Sequence, residues 1–180
     1  MIDEQLNMLV RSTYRQSDLA YRIGLLREFL EFVFFVQQAE RVGAESVAQF
    51  ARSGHRKDAD IGFLQQQPPT FFVSFAKETF NHTLDQLADA AKRLPTLQLT
   101  VPVVLTREDV EVIGLWVRKT IREGMLVEFS VDPAIVAGCQ IVWQDQLHDF
   151  GIDYFFSRYD GALRQALTPL VAGEKRVNAA

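Results

Sequence analysis

The longest stretch of helical periodicity runs from Ser17 to about Arg41 and contains no proline. Aliphatic residues recur there at helical spacing, namely Leu19, Ile23, Leu26, Leu30 and Val33. This pattern predicts a long helix. Phenylalanines in its second half widen the apolar stripe to most of the circumference. Such a helix must be buried on several sides or must offer one side to a partner.

Shorter helical segments flank the long helix on both sides. They are predicted at about residues 1–16, 45–52 and 61–67. Pro68 and Pro69 end the last of them, because proline cannot continue a helix from within. The helical period then returns between Thr70 and Leu94. We therefore predict that residues 1–94 form a helical bundle domain.

The composition changes at Pro95, which marks the predicted domain junction. Apolar and polar residues then alternate through 97–104, as expected for a half-buried strand. Thr106 and Asp109 have the spacing of a capping box, which predicts the start of a helix. Alternation resumes over 125–131 and predicts a second strand.

The segment between Val131 and Trp143 predicts a tight crossing between two strands. The first strand ends at Asp132 and Pro133, because proline has no N–H to donate within a sheet. Gly138 permits a backbone angle or a close approach that a Cβ atom would obstruct. We therefore assign structural turn roles to Asp132, Pro133 and Gly138.

A third strand begins at Cys139, and the turn-forming residues 144–146 return the chain as a hairpin. A last helix is predicted over about 153–170, followed by a flexible polar tail at 171–180. Residues 97–170 thus make a second domain. The predicted fold class is α+β, with an N-terminal helical bundle followed by a small αβ domain that has a mixed sheet and a C-terminal helix.

Composition narrows the range of functions. The net charge of −4 argues against a nucleic-acid partner, since binding phosphates requires a basic face. The single cysteine excludes an intrachain disulfide and a multi-cysteine metal site, and it favours a reducing compartment. We expect no direct membrane insertion, because no apolar run approaches the roughly 20 residues that a spanning helix needs.

Residues with catalytic chemistry are few. The three histidines are far apart in sequence and none has the spacing of a metal site, and the chain contains no P-loop or nucleophile-elbow motif. His148 and Asp149 are adjacent and suggest an acid–base pair, but the alternative is a solvated pair in the hairpin, with no nucleophile nearby. We therefore predict no catalytic residue, no metal ligand and no cofactor.

Three motifs carry a resemblance to a known family. They are Leu105-Thr106-Arg107-Glu108-Asp109, Val131-Asp132-Pro133-Ala134-Ile135-Val136-Ala137-Gly138 and Asp149-Phe150-Gly151-Ile152. In their order along the chain they resemble the C-terminal domain of the ATP synthase delta subunit, also called the oligomycin-sensitivity-conferring protein. The family has a second glycine where this chain has Ala137, and a Gly-Ser pair where it has Phe150-Gly151. The resemblance covers residues 97–170, and the helical half matches the family by position only.

The resemblance implies a non-catalytic stator subunit of a rotary F-type ATP synthase that supports proton-driven ATP synthesis. In the family, the helical half grips the N-terminal segments of the alpha subunits on the catalytic head, and the other half binds the end of the b-type peripheral stalk. The protein would then lie at the cytoplasmic face of the plasma membrane, attached through these partners. Such a joint resists the counter-torque of rotation through extended apolar contact.

Two sets of residues are the candidates for partner binding. In the helical half they are the phenylalanines that could line a groove for a partner helix, namely Phe29, Phe32, Phe35, Phe71, Phe72 and Phe75. In the second domain they are Trp143, Leu147 and Phe150, which could form a hairpin surface that meets the stalk. The alternative is that the phenylalanines belong to the core and that Trp143 is an ordinary sheet residue.

Two other functions remain open. One is an adaptor that binds a different helical peptide, since architecture alone does not determine function. The other is a small enzyme, which would require a pocket with several ionisable groups of shifted pKa.

Overall fold

The computed structural model describes residues 2–54 and 56–177. It contains a four-stranded mixed sheet and eight α-helices, and the predicted α+β class is confirmed. The helices are α1 (Ile2–Arg11), α2 (Gln16–Glu31), α3 (Ala44–Arg52), α4 (Asp58–Gln66), α5 (Pro69–Val73), α6 (Phe80–Lys92), α7 (Arg107–Thr120) and α8 (Ile152–Val177). The strands are β1 (Thr96–Val101), β2 (Leu126–Val131), β3 (Gln140–Trp143) and β4 (Gln146–Asp149). None of the helices in the described residues is long and apolar enough to cross a membrane.

The chain folds into two compact units. The first contains the residues up to Thr96 together with Thr106–Glu128, and the second contains Leu97–Leu105 together with the residues from Phe129 onward. The first boundary lies close to the predicted junction at Pro95. The division differs from the predicted one in α7, which belongs to the first unit rather than to a continuous domain over 97–170.

The core of the first unit is built around α2, which packs against α6 and carries fully buried leucines and the fully buried Phe29. The ring of Phe29 meets Phe50 and Phe72 edge to face, at centroid distances of 5.3 and 5.6 Å. Such edge-to-face pairs add to the free energy gained by burying the rings. Of the two alternatives stated for this helix, burial on several sides describes its central part, where Leu26, Phe29 and Leu30 are fully buried.

The long helix does not continue to Arg41 as an α-helix. After α2 it widens into a π-helical segment, Phe32–Val36, in which the N–H of Gln37 donates to the carbonyl of Phe32 at 2.9 Å. Gln38 then adopts a φ of 54°, which ends the helix. The extra residue in this turn leaves Val33 and Phe34 buried and brings Phe35 and Val36 to the surface.

Helix α7 belongs to the first unit because of long-range contacts with α1 and with the α1–α2 loop. Gly114 lies against the side chain of Tyr14, where a Cβ atom would come within 2.6 Å of the ring. Arg118 places its guanidinium 4.7 Å from the centre of the same ring, and Nη1 donates to the carbonyl of Val10 at 2.9 Å. Residue spacing within α7 does not reveal either contact, so the sequence pattern could not assign the helix to this unit.

The sheet has the strand order β2-β1-β3-β4. Strands β1 and β3 pair antiparallel, as do β3 and β4. Strand β2 runs parallel to β1. The N–H of Leu126 donates to the carbonyl of Pro95 and the N–H of Asp132 donates to the carbonyl of Val101, and the two pairs have the same separation in sequence, as expected for parallel strands. Strand β1 ends at Val101 rather than at 104, because Pro102 follows and cannot donate to a neighbouring strand.

The predicted hairpin is present, with a shorter turn than expected. Gln144 and Asp145 form a two-residue turn with φ values of 50° and 62°, and Gln146 already pairs with Trp143. Two successive positive φ values are typical of the type I′ turn, whose twist matches that of the flanking strands.

The last helix is longer than predicted. Helix α8 continues to Val177, so residues 171–177 are helical rather than a flexible tail, and residues 178–180 lie outside the described residues. The side chains from Ile152 to Ala162 are all exposed. Within the described residues, α8 therefore presents its aromatic side chains to the surface rather than burying them.

Candidate partner-binding surfaces

Four of the six candidate phenylalanines are core residues. Phe29, Phe71, Phe72 and Phe75 are all buried, and they pack on one another and on Phe50. The structure therefore places these four phenylalanines in the core, which was the alternative to a partner-binding role. Their rings are not exposed for contact with a partner.

Phe32 and Phe35 line an open groove that we call the phenylalanine groove. Its walls are formed by Glu28, Glu31, Phe32, Phe35, Val36, Phe50 and Arg56, and its volume is about 550 Å³. Phe35 is 58% exposed and Val36 is 70% exposed. The π-helical segment directs the side chains of Phe35 and Val36 outward. This groove therefore depends on the extra residue in that turn.

A charged side chain forms one edge of the phenylalanine groove. The guanidinium of Arg56 lies 4.4 Å from the centre of the Phe50 ring, and Arg56 also forms a salt bridge with Glu28. These two contacts hold the polar rim in place beside apolar walls. Apolar walls with a polar rim are typical of protein-binding surfaces.

A second groove, the alanine groove, lies between α2 and α6 and was not predicted. Ala20 and Ile23 on α2 face Ala88 and Ala91 on α6, with Lys92 and Glu128 at the edge, and the volume is about 360 Å³. Small side chains on both helices allow a third backbone to approach closely. The signal in the sequence is the three-residue spacing of Ala20 and Ile23 and of Ala88 and Ala91, which places each pair on one face of its helix.

Glu128 at the edge of the alanine groove caps the N-terminus of α2. Its Oε2 accepts the N–H of Ser17 at 2.9 Å, and its Oε1 accepts the Ser17 hydroxyl at 3.0 Å and Arg15 Nη2 at 3.3 Å. The residue at the N-cap position, Arg15, supplies no side-chain cap of its own. A carboxylate at this end of a helix satisfies a free N–H and interacts favourably with the helix dipole.

In the second unit, the candidate hairpin residues do not form one surface. Trp143 is opposite Gln146, whereas Leu147 is opposite Val142 in the neighbouring pair. Since neighbouring residues of a strand point to opposite faces, Trp143 and Leu147 lie on different faces of the hairpin. Leu147 is 62% exposed, Phe150 is 47% exposed and Trp143 is half-buried.

The same alternation separates the candidate acid–base pair. His148 is opposite Ile141 and Asp149 is opposite Gln140, so their side chains point to opposite faces of the hairpin. Asp149 has a different role, since its Oδ1 accepts the N–H of Gly151 at 2.7 Å. The described residues contain no cluster of three or more side chains suited to a metal ion.

Asp132 and Pro133 form the turn at the start of the crossing. The Asp132 carboxylate accepts the N–H of Ala134 at 2.9 Å, and its carbonyl accepts the N–H of Ile135 at 3.1 Å. An aspartate followed by proline at these positions is typical of a β-turn. Ile135 is buried beneath this turn, whereas its neighbour Val136 is exposed.

Gly138 lies directly over the chain that enters α8. Its φ is 96°, and a Cβ atom there would come within 2.1 Å of the Phe150 carbonyl oxygen. On either side of this glycine, the carbonyl of Cys139 accepts the N–H of Phe150 and the carbonyl of Ala137 accepts the N–H of Ile152, both at 2.9 Å. The crossing thus fixes the first turn of α8.

The free cysteine of the chain, Cys139, lies next to this glycine. Burial and the nearby Asp149 raise the pKa of its thiol.

The exposed residues at the start of α8 form an aromatic face. The Phe155 and Tyr159 rings are stacked at a centroid distance of 6.5 Å, and Tyr154 meets Phe155 edge to face at 6.0 Å. All three side chains are at least 41% exposed. The signal of this face in the sequence is the four-residue spacing of Phe155 and Tyr159.

Comparison with family models finds no match for this chain, and a search of curated protein sequences finds no significant relative.

Proposed function

We propose that this chain is a non-catalytic stator subunit of a rotary F-type ATP synthase, linking the catalytic head to the peripheral stalk. The observation that supports the proposal is the arrangement of the crossing, in which Asp132, Pro133 and Gly138, all part of a motif that carries the resemblance, make the predicted turn and close approach. The parallel pair β1 and β2 joined by a helix, followed by a hairpin and a last helix, agrees with the same family.

The helical unit is the proposed binding site for the N-terminal segments of the alpha subunits. Between its two grooves, the alanine groove suits an amphipathic helix best, because Ala20, Ala88 and Ala91 leave room for large side chains of the partner. The phenylalanine groove offers a second apolar contact through Phe35 and Val36.

The second unit is the proposed binding site for the b-type stalk. The aromatic face of α8 provides Tyr154, Phe155 and Tyr159, large side chains that are enriched at protein interfaces. Leu147 and Phe150 add exposed apolar area at the hairpin. Contacts of this kind resist shear without any chemical step, as a stator requires.

The location and coupling follow from the same proposal. The protein acts at the cytoplasmic face of the plasma membrane and is attached there through its partners. It takes part in proton-driven ATP synthesis without a cofactor, without catalytic residues and without binding nucleic acid.

Co-purification with the alpha and b subunits of the source organism tests the proposal. The folded full chain is expected to retain both. Ala88→Glu puts a charge into the alanine groove and is expected to lower alpha retention at least about tenfold while leaving b bound. Phe155→Asp is expected to lower b retention by a similar factor and to leave alpha bound.

Matched controls place the same charge on the other side of each helix. Gln86→Glu on α6 and Ser157→Asp on α8 change exposed positions outside the two proposed surfaces, and both are expected to bind like the unchanged chain. If the folded chain retains neither subunit, the stator proposal is wrong. Retention of a different helical peptide on α8 would favour the adaptor function instead.

A further inference from the structure

A polar cavity of about 340 Å³ lies in the first unit, beside the α1–α2 loop and the N-terminus of α7. Arg11 comes to it from α1, Arg22 from α2 and Arg107 from α7. Asp18 and Glu111 also line it, which leaves an excess of one positive charge. This cationic cavity stands out in a chain whose net charge is −4.

Arg22 is held in a fixed orientation in this cavity. Its Nη1 donates to the carbonyl and to the hydroxyl of Ser12, at 2.8 and 2.9 Å, and its guanidinium lies 4.6 Å from the centre of the Phe63 ring. One face and one nitrogen of the guanidinium are therefore engaged. Because no bond to its Nε or Nη2 is found among the described residues, these donors remain for another acceptor.

The electrostatics of Arg22 favour an added anion. Burial lowers the pKa of the Arg22 guanidinium, the charge of Arg107 lowers it further, and Asp18 acts in the opposite direction. Each lowering effect means that the positive charge is destabilised where it stands. An anion bound between Arg22 and Arg107 would oppose both effects.

Among the described residues, some arginines of the first unit are already paired with a carboxylate, and the three cavity arginines are not. Arg15, Arg27 and Arg56 each lie within 3.3 Å of a carboxylate oxygen. Within residues 2–54 and 56–177, none of the three cavity arginines has a carboxylate oxygen within 4.0 Å. Their guanidinium groups are planar forks that match the oxygens of a phosphate.

From this geometry we propose that the cavity binds a phosphate group, either inorganic phosphate or the phosphate of a small ester. Arg22 and Arg107 contact the phosphate oxygens, and Arg11 adds a third positive charge to the lining. The hydroxyl of Ser12 provides a further polar contact. The volume lies at the lower end of the roughly 300–1,000 Å³ typical of small-molecule pockets, which suits a small ester.

Calorimetric titration of the full chain with inorganic phosphate and with glycerol 3-phosphate, at constant low ionic strength, tests this proposal. Binding of at least one ligand with a Kd below about 5 mM is expected. Tighter binding of glycerol 3-phosphate would identify the ester as the source of the phosphate. Equal affinities would show that the cavity recognises the phosphate group alone, and tighter binding of inorganic phosphate would identify free phosphate as the ligand.

Three variants make the test specific to the cavity. Arg107→Gln is expected to weaken binding about tenfold, because a charge-assisted hydrogen bond is lost. Glu111→Gln removes a negative charge and is expected to tighten binding about threefold. Arg52→Gln changes an exposed arginine on α3 and is expected to have no effect.

Arg22 is left unchanged in these experiments because it also holds the α1–α2 loop. The proposal is overturned if the folded chain binds neither ligand with a Kd below about 5 mM, or if Arg107→Gln and Arg52→Gln bind phosphate equally. Neither result depends on whether the chain is a stator subunit.

Discussion

Gly114 on α7 lies directly against Tyr14 in the α1–α2 loop, where a Cβ atom on the glycine would lie 2.6 Å from Tyr14 Cδ1 and 2.7 Å from Tyr14 Cβ. Real Cβ atoms do not come so close to a neighbour, and the Cβ of Tyr14 is not a flexible end that can move away. The contact therefore depends on the absence of a side chain at position 114.

Gly114→Ala is expected to destabilise the first unit by about 1–2 kcal/mol, because the overpacking exceeds the gain in helix propensity. Gly24→Ala is the matched control, since Gly24 also lies within a helix and a Cβ atom added there would have no atom within 4 Å beyond its chain neighbours and the local helix backbone. That variant is expected to stabilise by about 0.5–1 kcal/mol. Urea unfolding measures both, and equal effects of the same sign would contradict the contact.

Gly138→Ala is expected to disrupt the crossing in the second unit. The new Cβ would meet the Phe150 carbonyl oxygen at 2.1 Å in a backbone with a φ of 96°, so we expect a loss of about 3 kcal/mol or more. Hydrogen exchange of the Phe150 and Ile152 amides measures this, because both are bonded across the crossing.

Gly124→Ala separates the effect of backbone angle from the effect of close approach. Gly124 has a φ of 74° but no atom within 4 Å of an added Cβ. Only the conformational cost of about 1–2 kcal/mol is expected there. Similar losses of stability in Gly124→Ala and Gly138→Ala would show that the close approach of Gly138 to Phe150 contributes little to the cost of the substitution.

Glu128→Ala is expected to destabilise α2 by about 1 kcal/mol, since the N–H of Ser17 loses its acceptor and the helix loses a favourable charge. Glu128→Gln keeps one acceptor oxygen and removes the charge, so a smaller loss is expected. Thermal unfolding at low and high salt measures both variants. Salt should reduce the difference between them, because it screens the interaction with the helix dipole.

The cap of α7 predicts a dependence of stability on acidity. The hydroxyl and the N–H of Thr106 both donate to Asp109 Oδ2, at 2.6 and 2.9 Å, and these bonds lower the pKa of the Asp109 carboxyl. The folded chain thus holds the carboxylate more strongly than the unfolded chain does. The stabilisation is present above the ordinary aspartate pKa of about 3.9 and is lost as the pH falls through the lower folded-state value.

Asp109→Asn is expected to remove this contribution and to make unfolding less sensitive to pH in the acid range. Thr106→Val removes the hydroxyl donor and should reduce the same sensitivity in part. Unfolding by urea at a series of pH values from about 6 to 3 measures both. An unchanged slope in Asp109→Asn would contradict the role of the cap.

Structural features that depend only on residues close together in the sequence could be predicted from the sequence pattern alone. The capping box joins Thr106 to Asp109, three positions further along the chain, and both of its hydrogen bonds are present. The Asp132 turn and the hairpin at Gln144 likewise follow from local backbone preferences. Each of these requires no knowledge of the rest of the fold.

Features that depend on distant residues were not accessible in the same way. The contact of Gly114 with Tyr14, which keeps α7 in the first unit, joins positions a hundred residues apart. The placement of Phe71 in the core follows from its packing on other elements, and that of Phe35 at the surface follows from the π-helical turn. A periodicity of 3.6 residues reveals neither.

The π-helical turn also makes the groove-forming side chains sensitive to chain length. One additional residue in a helical turn rotates everything that follows by about 100° about the axis, and its removal would rotate it back. Deleting a single residue between 32 and 36 would therefore restore regular winding and carry the ring of Phe35 away from its present side. At this point of the chain, the number of residues in the helical turn determines which side chains are exposed, more than the identity of those residues does.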